Sequence, residues 1–330
     1  PYGDEGNQPP PTYEHNVLSY QWMAMMQCYD ALYCQWFGGR PAAQNIAWLK
    51  PYYKLLFNAE YLPDPVALAV SLDTGFAETP EVFRRGLHQT TSAHYSLANL
   101  LRVLNINADR YLVDRFPELD RNVTARLLID DVTRDVGSAF GDRLEAFMRN
   151  GGTFLATLDT DCLNRYAFFR RFGVDIGDGG RISGRGVAIR KGVRDIAVKQ
   201  VGKGRLLILS GSWATGNWDP GEPEAYLEFV RGLILREGAF RQIVRTDVTD
   251  VFATPFRAPE GDILIQLFNI TAEPRRVTLT VDRSAAGPDD VMFDHGRGTL
   301  LPADYSDDGL YAAAEVPPLG STLIRVGKKR

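Results

Sequence analysis

The sequence is poor in cysteine, and it contains neither a long apolar run nor an excess of positive charge. Its three cysteines, Cys28, Cys34 and Cys162, are an odd number and lack the spacing of zinc ligands. They therefore predict buried thiols in a reducing compartment, here the cytoplasm, rather than a disulfide framework.

The lack of a long apolar run and of excess positive charge argues against membrane and nucleic-acid partners. No apolar run approaches the roughly 20 residues that a membrane-spanning helix needs. The formal net charge is −4, so the chain has no basic field with which to hold a phosphate backbone. We predict a protein that binds neither membranes nor nucleic acids.

What the sequence does contain is the composition of a globular protein. It has 330 residues, of which 45% are hydrophobic and 24% charged, enough for two or three domains. It begins at Pro1 in a stretch rich in Pro, Gly and Asn, which is typical of the interior of a protein. We therefore expect the sequence to be part of a longer one.

Residues 1–62 have the pattern of helix, buried strand and helix. Apolar positions recur at helical spacing from Asn16 to about Gln27, and an aromatic run follows over 31–37. Pro41 then begins a second helix that is predicted to reach Tyr61. This rhythm predicts the end of a (β/α)₈ barrel.

Residues 63–242 alternate between apolar runs and helical stretches. This alternation predicts an α/β fold with a doubly wound parallel sheet, of the class I glutamine amidotransferase type. Helices are expected at 81–104, at 142–150 with Gly151-Gly152 as the C-cap, from Tyr166 through Phe172, and at 224–237. Strands are expected at 66–71, 109–113, 126–130, 153–158 and 205–210.

In residues 243–330 the apolar residues recur at every second position. Runs at 262–269, 276–281 and 321–326 alternate apolar with polar residues, and Pro, Gly and Asp turns separate them. We predict a small antiparallel β-sandwich as a third domain.

The α/β domain lacks the parts of an amidotransferase site. Such a site needs a cysteine on a tight turn directly after a central strand, with a histidine as general base. Here Cys162 comes several residues late, and Asp159 and Asp161 beside it are expected to raise its pKa. The histidine downstream, His295, lies in the predicted sandwich. We predict that this domain scaffolds and assembles rather than catalyses.

Cofactor and metal sites are not indicated. The glycine-rich stretch 177–186 lacks the Walker lysine and does not join a strand to a helix, so it predicts a hairpin or loop. The pairs Asp130-Asp131 and Asp307-Asp308 are neighbours in sequence, so on a strand their side chains would point to opposite faces. We predict no cofactor and no metal.

Glu5 is the candidate catalytic residue. It precedes a helix and an aromatic strand, where a barrel enzyme places carboxylates, although a solvated loop glutamate would fit the same position. Tyr33, Trp36 and Phe37 offer aromatic faces on which a sugar can stack, but core packing would use the same residues. Trp213 and Trp218 follow a strand and indicate an interface or a second binding platform.

Taken together, the order of these segments resembles the rear part of glycoside hydrolase family 42 β-galactosidases. The resemblance implies the end of a (β/α)₈ barrel, a glutamine-amidotransferase-like trimerisation domain and a β-sandwich. It also implies that Glu5 is the nucleophile, that the acid/base glutamate precedes Pro1, and that the chain forms a homo-oligomer, a trimer, acting on carbohydrate. The segments that carry it are 29–36, 66–71, 97–106, 147–154, 267–269 and 317–320.

Two functions follow as hypotheses. In the first, the chain is the C-terminal part of a glycoside hydrolase that acts on β-galactosides or related sugars with two carboxylates. In the second, it is a non-catalytic assembly or carbohydrate-binding protein of the same architecture, which binds sugar or oligomerises without hydrolysis.

Overall fold

A computed structural model describes residues 52–56, 58–70, 97, 100–112, 125–130, 133–211, 224–318 and 320–329. Within these residues, strands outnumber helices. The elements up to residue 242 are α1 (Tyr53–Leu56), β1 (Glu60–Tyr61), β2 (Val66–Val70), β3 (Asp109–Leu112), β4 (Leu127–Ile129), α2 (Ser138–Arg149), β5 (Thr153–Thr157), α3 (Ala167–Arg170), β6 (Val174–Ile176), β7 (Ile182–Gly184), β8 (Val187–Arg190), β9 (Ile196–Val201), β10 (Gly204–Leu209) and α4 (Glu224–Gly238). The C-terminal strands are β11 (Val244–Thr246), β12 (Val251–Arg257), β13 (Ile263–Asn269), β14 (Arg275–Asp282), β15 (Asp290–Asp294), β16 (Thr299–Leu301), β17 (Ala303–Ser306), β18 (Gly309–Val316) and β19 (Ser321–Lys328).

These elements form two compact units. One comprises Pro63–Gln242. The other joins the described residues up to Leu62 with Ile243–Arg330. We refer to them as the α/β unit and the sandwich unit.

The α/β unit is built on a seven-stranded mixed sheet with the order β3-β2-β4-β5-β10-β9-β8. The strands from β3 to β10 pair in parallel. β9 and β8 then continue the sheet in antiparallel pairing. The parallel pairs require crossover connections, which is what the alternating sequence pattern predicted.

Both faces of the central strands β4, β5 and β10 are buried, which explains why these strands are mostly apolar. Neighbouring residues on a strand point to opposite faces. On one face Phe154 and Leu206 share a core with Leu144 and Met148 of α2. On the other, a Cβ added to Gly238 at the end of α4 would lie 3.6 Å from the Cβ of Leu127.

The structure corrects several sequence expectations in this unit. The helix predicted from Tyr166 through Phe172 is only the four-residue α3, because Arg165 and Tyr166 take left-handed backbone with φ of 49° and 65°. The helix predicted at 142–150 begins earlier, at Ser138. Its C-cap is confirmed: the amide of Gly152 donates to the carbonyl of Phe147 at 3.0 Å, and Gly151 has a φ of 113°.

The sandwich unit consists of two antiparallel sheets. One has the order β1-β12-β13-β19-β15-β16, and the other has the order β11-β14-β18-β17. Side chains from both sheets form one core, including Ile265 and Ile324 from the first sheet and Leu279 and Ala312 from the second. The period-two pattern of the sequence arises because each strand turns alternate residues into this core.

The helix predicted to run from Pro41 to Tyr61 is wrong at its end. Its described part contains only α1, and Glu60 and Tyr61 form a strand that pairs antiparallel with Arg257 and Phe256 of β12. Tyr61 packs edge-on against the ring of Phe256, with centroids 6.1 Å apart. A long-range contact therefore overrides the local helical pattern.

Candidate functional site

The residues proposed for sugar hydrolysis lie outside the described residues. This holds for Glu5 and for the aromatic residues Tyr33, Trp36 and Phe37. It also holds for Trp213 and Trp218. Their roles remain predictions, and the described residues allow the chemistry of the α/β unit to be assessed instead.

A buried polar turn lies where β4 and β5 end, at the carboxyl edge of the parallel strands. This edge is where open α/β sheets bind ligands. The fully buried Asp130 accepts hydrogen bonds from the hydroxyls of Thr133 at 2.5 Å and Thr160 at 2.8 Å. The Thr160 hydroxyl also accepts from the amide of Thr157 at 3.2 Å. The carboxylate and hydroxyls thus bind one another and tie the two strand ends together.

Asp161 completes the polar turn. It is fully buried and takes a left-handed backbone with φ of 57°. One carboxylate oxygen accepts from the amide of Val136 at 3.0 Å, and the other accepts from the amide of Phe168 at 2.7 Å. Both oxygens are therefore used to satisfy backbone donors, and the carboxylate acts as a brace for the turn.

Cys162 follows this brace and is not set up as a nucleophile. Burial raises the pKa of its thiol, and Asp159 and Asp161 add to the rise, while Arg134 opposes it. The direction agrees with the prediction from sequence, although burial is the larger cause. A thiol with a raised pKa forms little thiolate near neutral pH. His295 belongs to the sandwich unit, whereas Cys162 belongs to the α/β unit.

His295 lies directly after β15, beside Asp294. Burial lowers the pKa of His295, and the positive charge of Arg325 lowers it further. The buried Asp294 accepts hydrogen bonds from the Thr322 hydroxyl at 2.6 Å and the Gly296 amide at 2.8 Å. These contacts fix the turn after β15.

A second buried carboxylate, Glu237 near the end of α4, binds three arginines. Its side chain is fully buried and lies 2.5 Å from Arg190, 2.9 Å from Arg236 and 3.0 Å from Arg205. Burial alone would raise the pKa of Glu237. Hydrogen bonds from Arg236 and Arg190 and the nearby charge of Arg205 outweigh it, so the pKa lies below its ordinary value. No local sequence pattern predicts this cluster, because Arg190 lies 47 residues from Glu237.

We expect Glu237→Gln to lower the free energy of unfolding by about 2 kcal/mol at neutral pH, because hydrogen bonds to a charged group are lost. Glu228→Gln is the matched control: it pairs with Arg231 on the same helix, but its side chain is 62% exposed. We expect Glu228→Gln to lower the free energy of unfolding by less than about 0.5 kcal/mol. Urea unfolding of both variants measures the difference.

The same variant tests the pKa of Glu237. A carboxylate whose pKa is lower in the folded than in the unfolded state stabilises the fold above its unfolded pKa and loses that contribution as pH falls through its folded pKa. The difference in the free energy of unfolding between the wild type and Glu237→Gln should therefore shrink once the pH falls below about 4. A difference that stays constant down to pH 2 would contradict the assignment.

The glycine-rich stretch 177–186 is part of a hairpin, as predicted. β6 and β7 pair antiparallel across it, with Val174 opposite Gly184. Among the described residues, no group of three or more His, Cys, Asp or Glu side chains is placed to hold a metal ion. In the same part of the chain, no helix is both long and apolar enough to cross a membrane.

Comparison with known proteins shows which solved structures have a similar fold. No protein-family model and no curated protein sequence matches the chain. Among solved structures, it is similar to the β-galactosidase of Bacillus circulans sp. alkalophilus, with a TM-score of 0.58 and 17% identity. That match covers 87% of this chain and 45% of the other. Gan42B, a GH42 β-galactosidase from G. stearothermophilus, matches with a TM-score of 0.58 and 15% identity, over 88% of this chain and 44% of the other.

A third similar structure is a different glycosidase. The α-L-fucosidase isoenzyme 2 of Paenibacillus thiaminolyticus matches with a TM-score of 0.57 and 13% identity, over 100% of this chain and 59% of the other. Identities this low show a shared fold and no more. In fold, this chain resembles less than half of a family 42 β-galactosidase, as the order of its sequence segments implied.

Proposed function

We propose that this chain is the C-terminal part of a glycoside hydrolase that removes terminal sugars with a pair of carboxylates. The observation that carries the proposal is the likeness in fold to two β-galactosidases and an α-L-fucosidase over 87% or more of the chain. In this proposal residues 1–62 end the catalytic barrel, and the preceding residues of a longer protein supply the remainder with the acid/base glutamate. Glu5 is the nucleophile, and Tyr33, Trp36 and Phe37 line the sugar site.

The α/β unit, residues 63–242, has a different role in this proposal. We assign it a doubly wound, glutamine-amidotransferase-like fold that assembles subunits into a homo-oligomer, with a trimer as the expected form. The strand order β3-β2-β4-β5-β10 supports the fold, because it is the 2-1-3-4-5 order of doubly wound proteins. The raised pKa of Cys162 and the brace formed by Asp161 support the absence of catalysis. Residues 243–330 are assigned to a sandwich domain, to whose larger sheet Glu60 and Tyr61 add a strand.

The hydrolase proposal is tested with aryl glycosides. A longer protein that contains this chain and its preceding residues is expected to release the phenol from an aryl β-galactoside or an aryl α-L-fucoside. The 330-residue chain alone is the matched control and is expected to show no turnover, because the acid/base residue lies outside it. Full hydrolysis by the 330-residue chain would overturn the assignment.

The assay also separates the two classes of function. A non-catalytic carbohydrate-binding or assembly protein would bind galactose or oligomerise without releasing phenol from either substrate. Binding of galactose is measured by calorimetry on the same preparation. Saturable binding without turnover in the longer protein would replace the hydrolase proposal with this alternative.

A further inference from the structure

One edge of the α/β unit is basic. Residues 185–193 contain three lysines and arginines and no acidic residue, in a chain whose net charge is −4. Arg190 pairs with Glu237 and Lys191 pairs with Asp195. Among the described strands, β8 is the last of the seven-stranded sheet, with β9 as its neighbour. Arg185 just before β8 is exposed and has no ion pair with any described residue. We call Arg185, Val187–Arg190, Lys191 and Val193 the basic edge.

One edge of the sandwich unit is acidic. Residues 302–308 contain three aspartates and neither lysine nor arginine. Among the described strands, β17 is the last of the four-stranded sheet and pairs with β18. Asp304 and Asp307 are exposed, and neither has an ion pair with a described residue. We call Leu300, Ala303–Ser306 and Asp307 the acidic edge.

Both edges also expose large apolar side chains. Ile189 is 42% and Val193 62% exposed at the basic edge, and Leu300 is 48% and Tyr305 40% exposed at the acidic edge. Leu55 and Leu163 are the other large hydrophobic residues exposed within the described part of the chain. A last strand also leaves a row of backbone N–H and C=O groups ready to pair with another strand. Each edge therefore offers charge, apolar contact and backbone hydrogen bonds together.

We propose that the basic edge of one copy of this chain pairs with the acidic edge of a second copy. The two surfaces carry opposite charges and each exposes apolar side chains, so they complement each other. An antiparallel register with Ile189 opposite Tyr305 places Arg190 opposite Asp304, and the Arg190 side chain is 40% exposed although it also binds Glu237. The same register brings Arg185 within diagonal reach of Asp307, and cross-strand pairs of opposite charge stabilise a sheet.

The charges favour this contact over a contact between identical edges. Two antiparallel β8 strands centred on Ala188 would place Arg185 of one copy opposite Lys191 of the other. Like charges directly opposite destabilise a sheet. A contact between two different surfaces is heterologous, so each copy keeps one unused edge for a further copy.

The contact deepens the assembly part of the proposed function and does not depend on hydrolysis. It is tested by size-exclusion chromatography with light scattering on the 330-residue chain. The wild type is expected to have a mass of more than one chain, and this mass should fall as salt screens the charges. Ile189→Glu places a negative charge beside Asp307 of the acidic edge, and Tyr305→Lys places a positive charge beside Lys191 of the basic edge. Each variant alone should therefore show the single-chain mass of 36.8 kDa.

The decisive sample is an equimolar mixture of the two variants. Ile189→Glu keeps the acidic edge and Tyr305→Lys keeps the basic edge, so the mixture should form particles of at least twice the single-chain mass. Leu163→Lys, at a position 56% exposed and outside both edges, is the control and should assemble like the wild type. Thermal melts by circular dichroism confirm that each variant is folded.

Three outcomes overturn the contact. An assembly that survives Ile189→Glu or Tyr305→Lys shows that copies join elsewhere and leaves the assembly proposal standing. A mixture that stays at the single-chain mass excludes the pairing of these two edges. A wild type that remains a single chain at every concentration overturns both the contact and the assembly proposal, while the hydrolase proposal rests on its own assay.

Discussion

Replacing Glu5 with glutamine is expected to abolish hydrolysis in a longer protein that contains this chain. A carboxylate nucleophile attacks the anomeric carbon and forms a glycosyl-enzyme intermediate, and an amide cannot do so effectively. Removing such a nucleophile costs on the order of a thousandfold or more in kcat. The measurement is the steady-state rate on the aryl glycoside that the wild-type protein hydrolyses.

Glu14→Gln is the control for Glu5→Gln, because it makes the same chemical change in the same stretch of sequence. It is expected to leave kcat within about twofold of the wild type, since the proposed mechanism gives Glu14 no role. Unchanged activity in Glu5→Gln would remove Glu5 from the site. In that case the nucleophile would have to come from residues that precede Pro1.

Replacing Asp161 with alanine is expected to cost the α/β unit about 4 kcal/mol of unfolding free energy. The change leaves the buried amides of Val136 and Phe168 without acceptors, and each unsatisfied buried donor costs about 1–3 kcal/mol. It also places an alanine at a φ of 57°, which adds roughly 1 kcal/mol. Urea unfolding followed by circular dichroism measures the loss.

Asp161→Asn is the matched variant. Asparagine tolerates the left-handed backbone and retains one acceptor oxygen. Asp161→Asn should therefore lose about half as much unfolding free energy as Asp161→Ala. Equal stability of the wild type and Asp161→Ala would show that the carboxylate does not brace the turn. A loss confined to Asp161→Ala, with Asp161→Asn like the wild type, would show that backbone strain alone sets the cost.

The turn that Asp161 braces follows β5 in the α/β unit. The place after β5 is where an amidotransferase needs an exposed, activated cysteine. Here the turn is filled by carboxylate and hydroxyl groups that bind backbone amides and one another, and the pKa of the neighbouring Cys162 thiol is raised. The polar groups at this edge are therefore used to hold the fold.

Local sequence pattern determined much of what the structure shows in the two units. Apolar runs marked β2, β5, β10 and β13 to within one or two residues, because a strand buried on one or both faces must be apolar over its own length. Gly151-Gly152 marked the end of α2, because a left-handed cap needs a residue without a Cβ. These signals are local, so the sequence contains them in full.

Tertiary structure alone decided the features that join distant residues. Glu60 and Tyr61 leave a helical pattern to pair with β12, and Glu237 collects arginines from β8 and β10. β8 and β9 escaped prediction because Arg190 ends the short apolar run of β8 and Lys199 and Gln200 interrupt that of β9, yet β10 supplies a partner for β9. In each case the stabilising contact lies across the fold, and its free energy does not appear in any local window of sequence.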